Sequence, residues 1–237
     1  MKEILKNNSH NTFIKPILTD DNSITYFNEK YQETYHSKTG AVEEALKKFV
    51  EPTNIKNLAM SGQFSILDVC FGLGYNTAVA IDIALKENPK CKIEVIALEN
   101  DITILDEINK INPEINSYLL IKQLVNNKDY ELNVNNIKIK LLLGDARKTI
   151  KKINPDILSP QKKFDVCFLD PFSPKKCPEL WEESFFSEIH KIMGRNSILA
   201  TYSCARIVRD NLKKAGFIVK DGPVVGRRAP GTIGVLY

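Results

Sequence analysis

The chain has 237 residues, 43% hydrophobic and 26% charged, with a formal net charge of +4 and a pI near 8.6. That length supports one large domain with a core of its own. The balance excludes a disordered chain and a strongly basic nucleic-acid coat, and no apolar run approaches the ~18 residues of a membrane span.

In chain order, residues 24–27 (ITYF) read as a short strand between turn signals, and residues 40–50 (GAVEEALKKFV) as an amphipathic helix. Strands and helices then alternate. Strands are expected at 65–70, 92–98, 137–143, 164–169 and 197–202. Helices are expected at 76–86, 102–110, 180–193 and 205–215. A polar insertion spans residues 112–136, and two strands at 217–220 and 232–237 close the chain. This order predicts a mostly parallel, doubly wound α/β sheet with helices on both faces. The last two strands, with no helix between them, predict an antiparallel edge. Residues 1–50 are expected to form an N-terminal extension packed on a domain of residues 51–237.

The first residues lack the apolar stretch of a secretory signal. The five cysteines are odd in number and include no Cys-x-x-Cys, so reduced thiols and a cytoplasmic location are expected. His10, His36 and His190 are far apart, and no metal site is expected. Ser203 and Cys204 lack an evident base partner, which argues against nucleophilic catalysis.

Two segments carry chemistry. In the first, residues 66–77 (ILDVCFGLGYNT), a strand runs into Gly72 and Gly74 and then a helix that begins near Asn76. Such a turn lets backbone approach a ligand and offers free N–H groups. Thr77 stands where the dinucleotide fingerprint wants its third glycine, which points to a nucleoside ligand without a pyrophosphate. In the second, residues 164–181, a strand ends in Asp170 and a proline-stiffened loop, Asp-Pro-Phe-Ser-Pro, presents Phe172. Glu99, Asp145 and Asp170 end three successive strands and should converge on one sheet edge. An acid at the Glu99 position can accept from both ribose hydroxyls, and one at Asp145 from an exocyclic amine.

This pattern resembles the class I S-adenosylmethionine-dependent methyltransferases, of Rossmann-like fold. The resemblance implies a Gly-rich turn around the methionine portion, Glu99 on the ribose and Asp145 on adenine. The Asp170-Pro171-Phe172-Ser173 loop looks like the (Asp/Asn)-Pro-Pro-(Tyr/Phe) loop of amino-methyltransferases. More narrowly, residues 168–185 (FLDPFSPKKCPELWEESF), 71–76 (FGLGYN) and 200–217 (ATYSCARIVRDNLKKAGF) resemble blocks of the MnmC-type tRNA methyltransferases. Tyr35, His36 and Ser37 resemble that family's N-terminal part. Cys177 departs from it, standing where the family has Asn.

The resemblance implies N-methylation of the aminomethyl group of 5-aminomethyl(-2-thio)uridine at the tRNA wobble position, with S-adenosyl-L-methionine as donor and neither FAD nor metal. The partner would be a tRNA anticodon arm, and a monomer is expected. Asp170 would orient and deprotonate the amine and Phe172 would flank the uracil. Gly72, Gly74, Asn76, Glu99, Asp145 and Asp170 would hold the donor. Tyr202 would line the acceptor pocket, and Lys175, Arg206, Arg209, Arg227 and Arg228 would contact phosphates. The rival readings are an aminopropyltransferase or small-molecule amine methyltransferase on the same fold, and a non-catalytic tRNA-binding module.

Overall fold

The structure, a computed structural model, describes residues 15–153, 163–225 and 228–237. Eight strands form the central sheet. Its middle comprises β4 (Gln63–Val69), β5 (Lys92–Glu99), β7 (Ile137–Leu143), β8 (Phe164–Leu169) and β9 (Met193–Thr201). These pair in parallel in the order β9-β8-β4-β5-β7. β4 is buried from Phe64 onward because helices cover both sheet faces. The side-chain period of two divides its residues between two cores. Phe64 and Ile66 join Val166 and Phe168 on one face; Leu67 and Val69 join Cys167, Leu169 and Trp181 on the other.

Both edges are antiparallel. β11 (Thr232–Val235) lies between β9 and β10 (Ile218–Asp221), as the closing strands predict. At the opposite edge β6 (Glu131–Val134) pairs antiparallel with β7, which the sequence reading missed. The same insertion holds α5 (Tyr118–Asn126), whose Tyr118, Ile121 and Leu124 are buried. Its apolar face is short and embedded in asparagine-rich sequence, so periodicity left it hidden. Also missed were the short helices α2 (Ile55–Met60) and α6 (Ala146–Thr149).

α3 (Tyr75–Glu87) follows the Gly72–Gly74 turn, α4 (Ile102–Ile108) follows β5, α7 (Glu183–Ile192) precedes β9, and α8 (Arg206–Lys214) follows it. The 40–50 helix consists of α1 (Ala41–Glu44) continuing as a π-helical segment, Ala45–Val50. Before it, β1 (Pro16–Leu18), β2 (Ile24–Asn28) and β3 (Glu33–Thr34) form a small antiparallel sheet. Tyr26 of β2 shares the core of Phe49 and Phe168. The Tyr75 hydroxyl of α3 donates to the Ile24 carbonyl (2.9 Å) and ties the small sheet to the large one.

The insertion also supports the glycine turn. The buried Tyr118 hydroxyl donates to the carbonyl of Leu73, at 2.8 Å. Tyr118→Phe leaves that carbonyl unpaired and should cost about 1–2 kcal/mol in urea unfolding. An unchanged midpoint would show that the contact carries no stability.

Candidate active site

The carboxyl ends of β4, β5, β8 and β9 open into a cleft of about 560 Å³, closed on its other side by the N-terminal sheet. The strand ends are laced together. Cys70 and Phe71 N–H groups donate to Leu98 O, and Asp170 N–H donates to Val69 O.

Gly72 and Gly74 have φ of +54° and +75°, a region that disfavours side chains. A Cβ on Gly74 would lie 2.7 Å from both Ile121 and Phe71. Glu99 is buried and takes three backbone N–H groups. Gly72 donates to Oε2 (2.7 Å), and Asn100 (2.8 Å) and Asp101 (2.9 Å) donate to Oε1. Burial nonetheless raises its pKa. Asp101 caps α4 through Thr103 and accepts from Tyr35 Oη at 2.9 Å.

Asp170 sits directly beyond β8 on the cleft wall, and Asn76 Nδ2 donates to its Oδ2 at 3.1 Å. Burial pushes its carboxyl well above the usual range, and the negative charge of Glu44 adds to the effect. Its loop is fixed from three directions. Trp181 Nε1 donates to Phe172 O (2.8 Å), Tyr202 Oη donates to Pro171 O (2.9 Å), and Ser173 donates through both N–H (2.9 Å) and hydroxyl to Glu33. Phe172 therefore faces the N-terminal sheet. Tyr31 stacks on it with centroids 4.5 Å apart, and Tyr35 meets it edge-on at 5.0 Å.

The structure thus brings Gly72, Asn76, Glu99, Asp170, Phe172 and Tyr202 to one cleft. It brings there neither Gly74, which is buried against Ile121 and Phe71, nor Asp145. That carboxylate caps α6 and is forked by Arg147 Nε and Nη2, because α6 begins immediately after it. The described phosphate candidates lie outside the cleft lining. Arg209 pairs with Asp221 at 2.6 Å, Arg206 lies 3.5 Å from Asp210, and Lys175 and Arg228 are exposed. Arg227 is outside the described residues.

Sequence reasoning missed Tyr31, Glu33, Glu44 and Lys48, all of which line the cleft. Glu33 meets Ser173 across 140 positions, a separation that no local pattern reveals. Asp68 of β4 was also missed. Thr77 Oγ1 donates to its Oδ2 at 2.6 Å, its Oδ1 has no partner, and burial raises its pKa to about 7. Cys177 is buried on the cleft wall with its thiol pushed up to about 12 by burial.

The comparisons with known proteins bear on this geometry. A profile of a family described as S-adenosyl-L-methionine-dependent methyltransferase matches residues 107–237, more than half of the chain. The crystal structure of MnmC2 from Aquifex aeolicus superposes with a TM-score of 0.83 at 36% identity, over 97% of this chain and 72% of that one. The chain belongs to the MnmC methyltransferase family. It is an α/β methyltransferase, and the cleft stands where such a sheet places its ligands.

Among the relatives, protein MJ0670 of Methanocaldococcus jannaschii is 35% identical over 89% of this chain. The tRNA 5-methylaminomethyl-2-thiouridine biosynthesis bifunctional protein MnmC of Leptospira interrogans is 27% identical over 92%. The chain spans 56% and 35% of those two proteins.

His36 also lines the cleft. Its Nδ1 lies 3.1 Å from Thr25 Oγ1 and its ring is edge-on to Tyr75. Burial lowers its pKa to about 4. A base with a depressed folded pKa stabilises above its unfolded value of ~6.5, and this stability is lost as pH falls toward 4. Between about pH 7 and pH 4.5 that loss is about 2 kcal/mol. His36→Gln should remove this share of the acid sensitivity in denaturant titrations. An unchanged pH slope would contradict the assignment.

Proposed function

We propose that the protein transfers a methyl group from S-adenosyl-L-methionine to the exocyclic amine of 5-aminomethyl(-2-thio)uridine at the tRNA wobble position. The observation that carries this is the state of the carboxylates around the cleft. Glu33, Glu44, Glu99, Asp101 and Asp170 line it. Four of them are engaged, by Ser173, by Lys48, by three backbone N–H groups and by Tyr35 with Thr103. Asp170 accepts one side-chain hydrogen bond, from Asn76, and keeps acceptor capacity for a ligand. One open carboxylate fits one amine. A polyamine would call for several.

The residues present fit the donor. The left-handed Gly72 permits close approach, and an acidic lining suits its cationic groups. Gly72 and Asn76 would hold it, with Glu99 accepting through the site that its single N–H partner leaves open on Oε2. Asp145 would reach adenine only after release from Arg147. When bound, the donor supplies an electrophilic methyl on a sulfonium.

An aliphatic amine is mostly protonated at neutral pH and then has no lone pair. Asp170 takes the ammonium proton, which frees the nitrogen lone pair, and aligns the neutral amine by a hydrogen bond; as the N–C bond then forms, the methyl–sulfur bond breaks and a neutral thioether leaves. Burial makes this carboxylate more basic, which favours proton acceptance. Phe172, backed by Tyr31, offers an aromatic surface to the uracil; a base–aromatic stack is worth roughly 1–3 kcal/mol. The exposed Lys175 and Arg228 are candidate phosphate contacts outside the cleft.

The test is nucleoside mass spectrometry of tRNA carrying 5-aminomethyluridine, before and after incubation with protein and donor. One methyl gained on that nucleoside is expected. Label in free polyamines alone would overturn the reading in favour of a small-amine transferase. Binding of tRNA without binding of donor would favour a non-catalytic module.

A further inference from the structure

Among the described residues, Lys48 is the one lysine or arginine that lines the cleft. It is buried, with 7% of its side chain exposed, and is paired with Glu44, itself 12% exposed. Lysine is rarely buried so fully. Lys48 also lies on the π-helical segment Ala45–Val50, a rare geometry that is frequent at functional sites. That segment packs on α3, the helix that leaves the Gly72–Gly74 turn and carries Asn76. Its charge is felt at Asp170 and at His36.

The methyl donor carries three charges, a sulfonium, an ammonium and a carboxylate. The carboxylates that line the cleft suit the first two and repel the third. An ammonium has three N–H donors, and Glu44 Oε1 engages one of those on Lys48. We propose that Lys48 anchors the donor's amino-acid carboxylate and thereby selects S-adenosylmethionine over its decarboxylated form. The proposal rests on the family's use of this donor and not on the tRNA acceptor. Lys48 is a donor-specificity residue that also neutralises Glu44. The two roles are separable, because only the first distinguishes ligands by their carboxylate.

The experiment is isothermal titration calorimetry on the full chain with three ligands: S-adenosylmethionine, its decarboxylated form and 5′-methylthioadenosine. The parent should prefer S-adenosylmethionine over the decarboxylated form by at least about tenfold. Lys48→Met should weaken S-adenosylmethionine on the order of 10- to 100-fold, the scale of a lost charged hydrogen bond, and abolish that preference. The other two ligands should change by no more than about twofold. Equal weakening of all three ligands, or undiminished preference in the variant, overturns the proposal. Should loss of Lys48 alone unfold the protein, Glu44→Gln with Lys48→Met removes both buried charges. The double variant must lose the same preference, and its retention is equally fatal. No RNA is present, so failure here and failure of the tRNA assignment are distinguishable.

Discussion

A half-buried carboxylate at the end of a central strand is the constraint around which this cleft is arranged. Partial burial of Asp170 disfavours its charge, and a carboxylate so placed is costly unless something compensates. Asn76 supplies one hydrogen bond, and Lys48 supplies distant positive charge. The remaining capacity to accept is what an amine or ammonium can satisfy. The surroundings are built to keep the group where it is. Trp181, Tyr202 and Glu33 hold three consecutive residues of its loop, so Asp170 has little freedom to turn toward solvent.

The N-terminal sheet is part of the same device. Glu33 binds Ser173, Tyr31 stacks on Phe172, and Tyr35 links that ring to Asp101 at the foot of α4. A cleft open on that side would leave Phe172 in water and Asp170 more hydrated. The small sheet thus sets the polarity of the site as well as its shape. Its attachment through Tyr75 and Ile24 runs into α3, the helix that presents Asn76 to Asp170. Glycine turn, acidic loop and N-terminal wall are one connected structure.

Much of this was legible in the sequence for simple reasons. Parallel strands buried on both faces read as apolar runs, and Gly72, Glu99 and Asp170 stand at their ends. The loop from Asp170 to Trp181 combines stiff backbone with specific spacing and carries most of the family resemblance. What was hidden depends on distance along the chain or on competition for hydrogen bonds. The Glu33–Ser173 and Tyr31–Phe172 contacts join segments about 140 residues apart, and Glu33 and Tyr31 look like ordinary surface. Lys48 reads as half of a lysine pair on a helix, yet it is buried while Lys47 is exposed. Asp145 ends its strand as expected, but its side chain goes to the helix it begins and to Arg147. Position alone did not reveal that competition.

The central claim is that Asp170 accepts the proton of the reacting amine. The most direct measurement is the single-turnover rate of methyl transfer to modified tRNA by Asp170→Asn, alongside calorimetric affinity for the donor. The account predicts a rate lower by ~10²–10⁴-fold with donor affinity unchanged. A variant that transfers methyl as fast as the parent would contradict it.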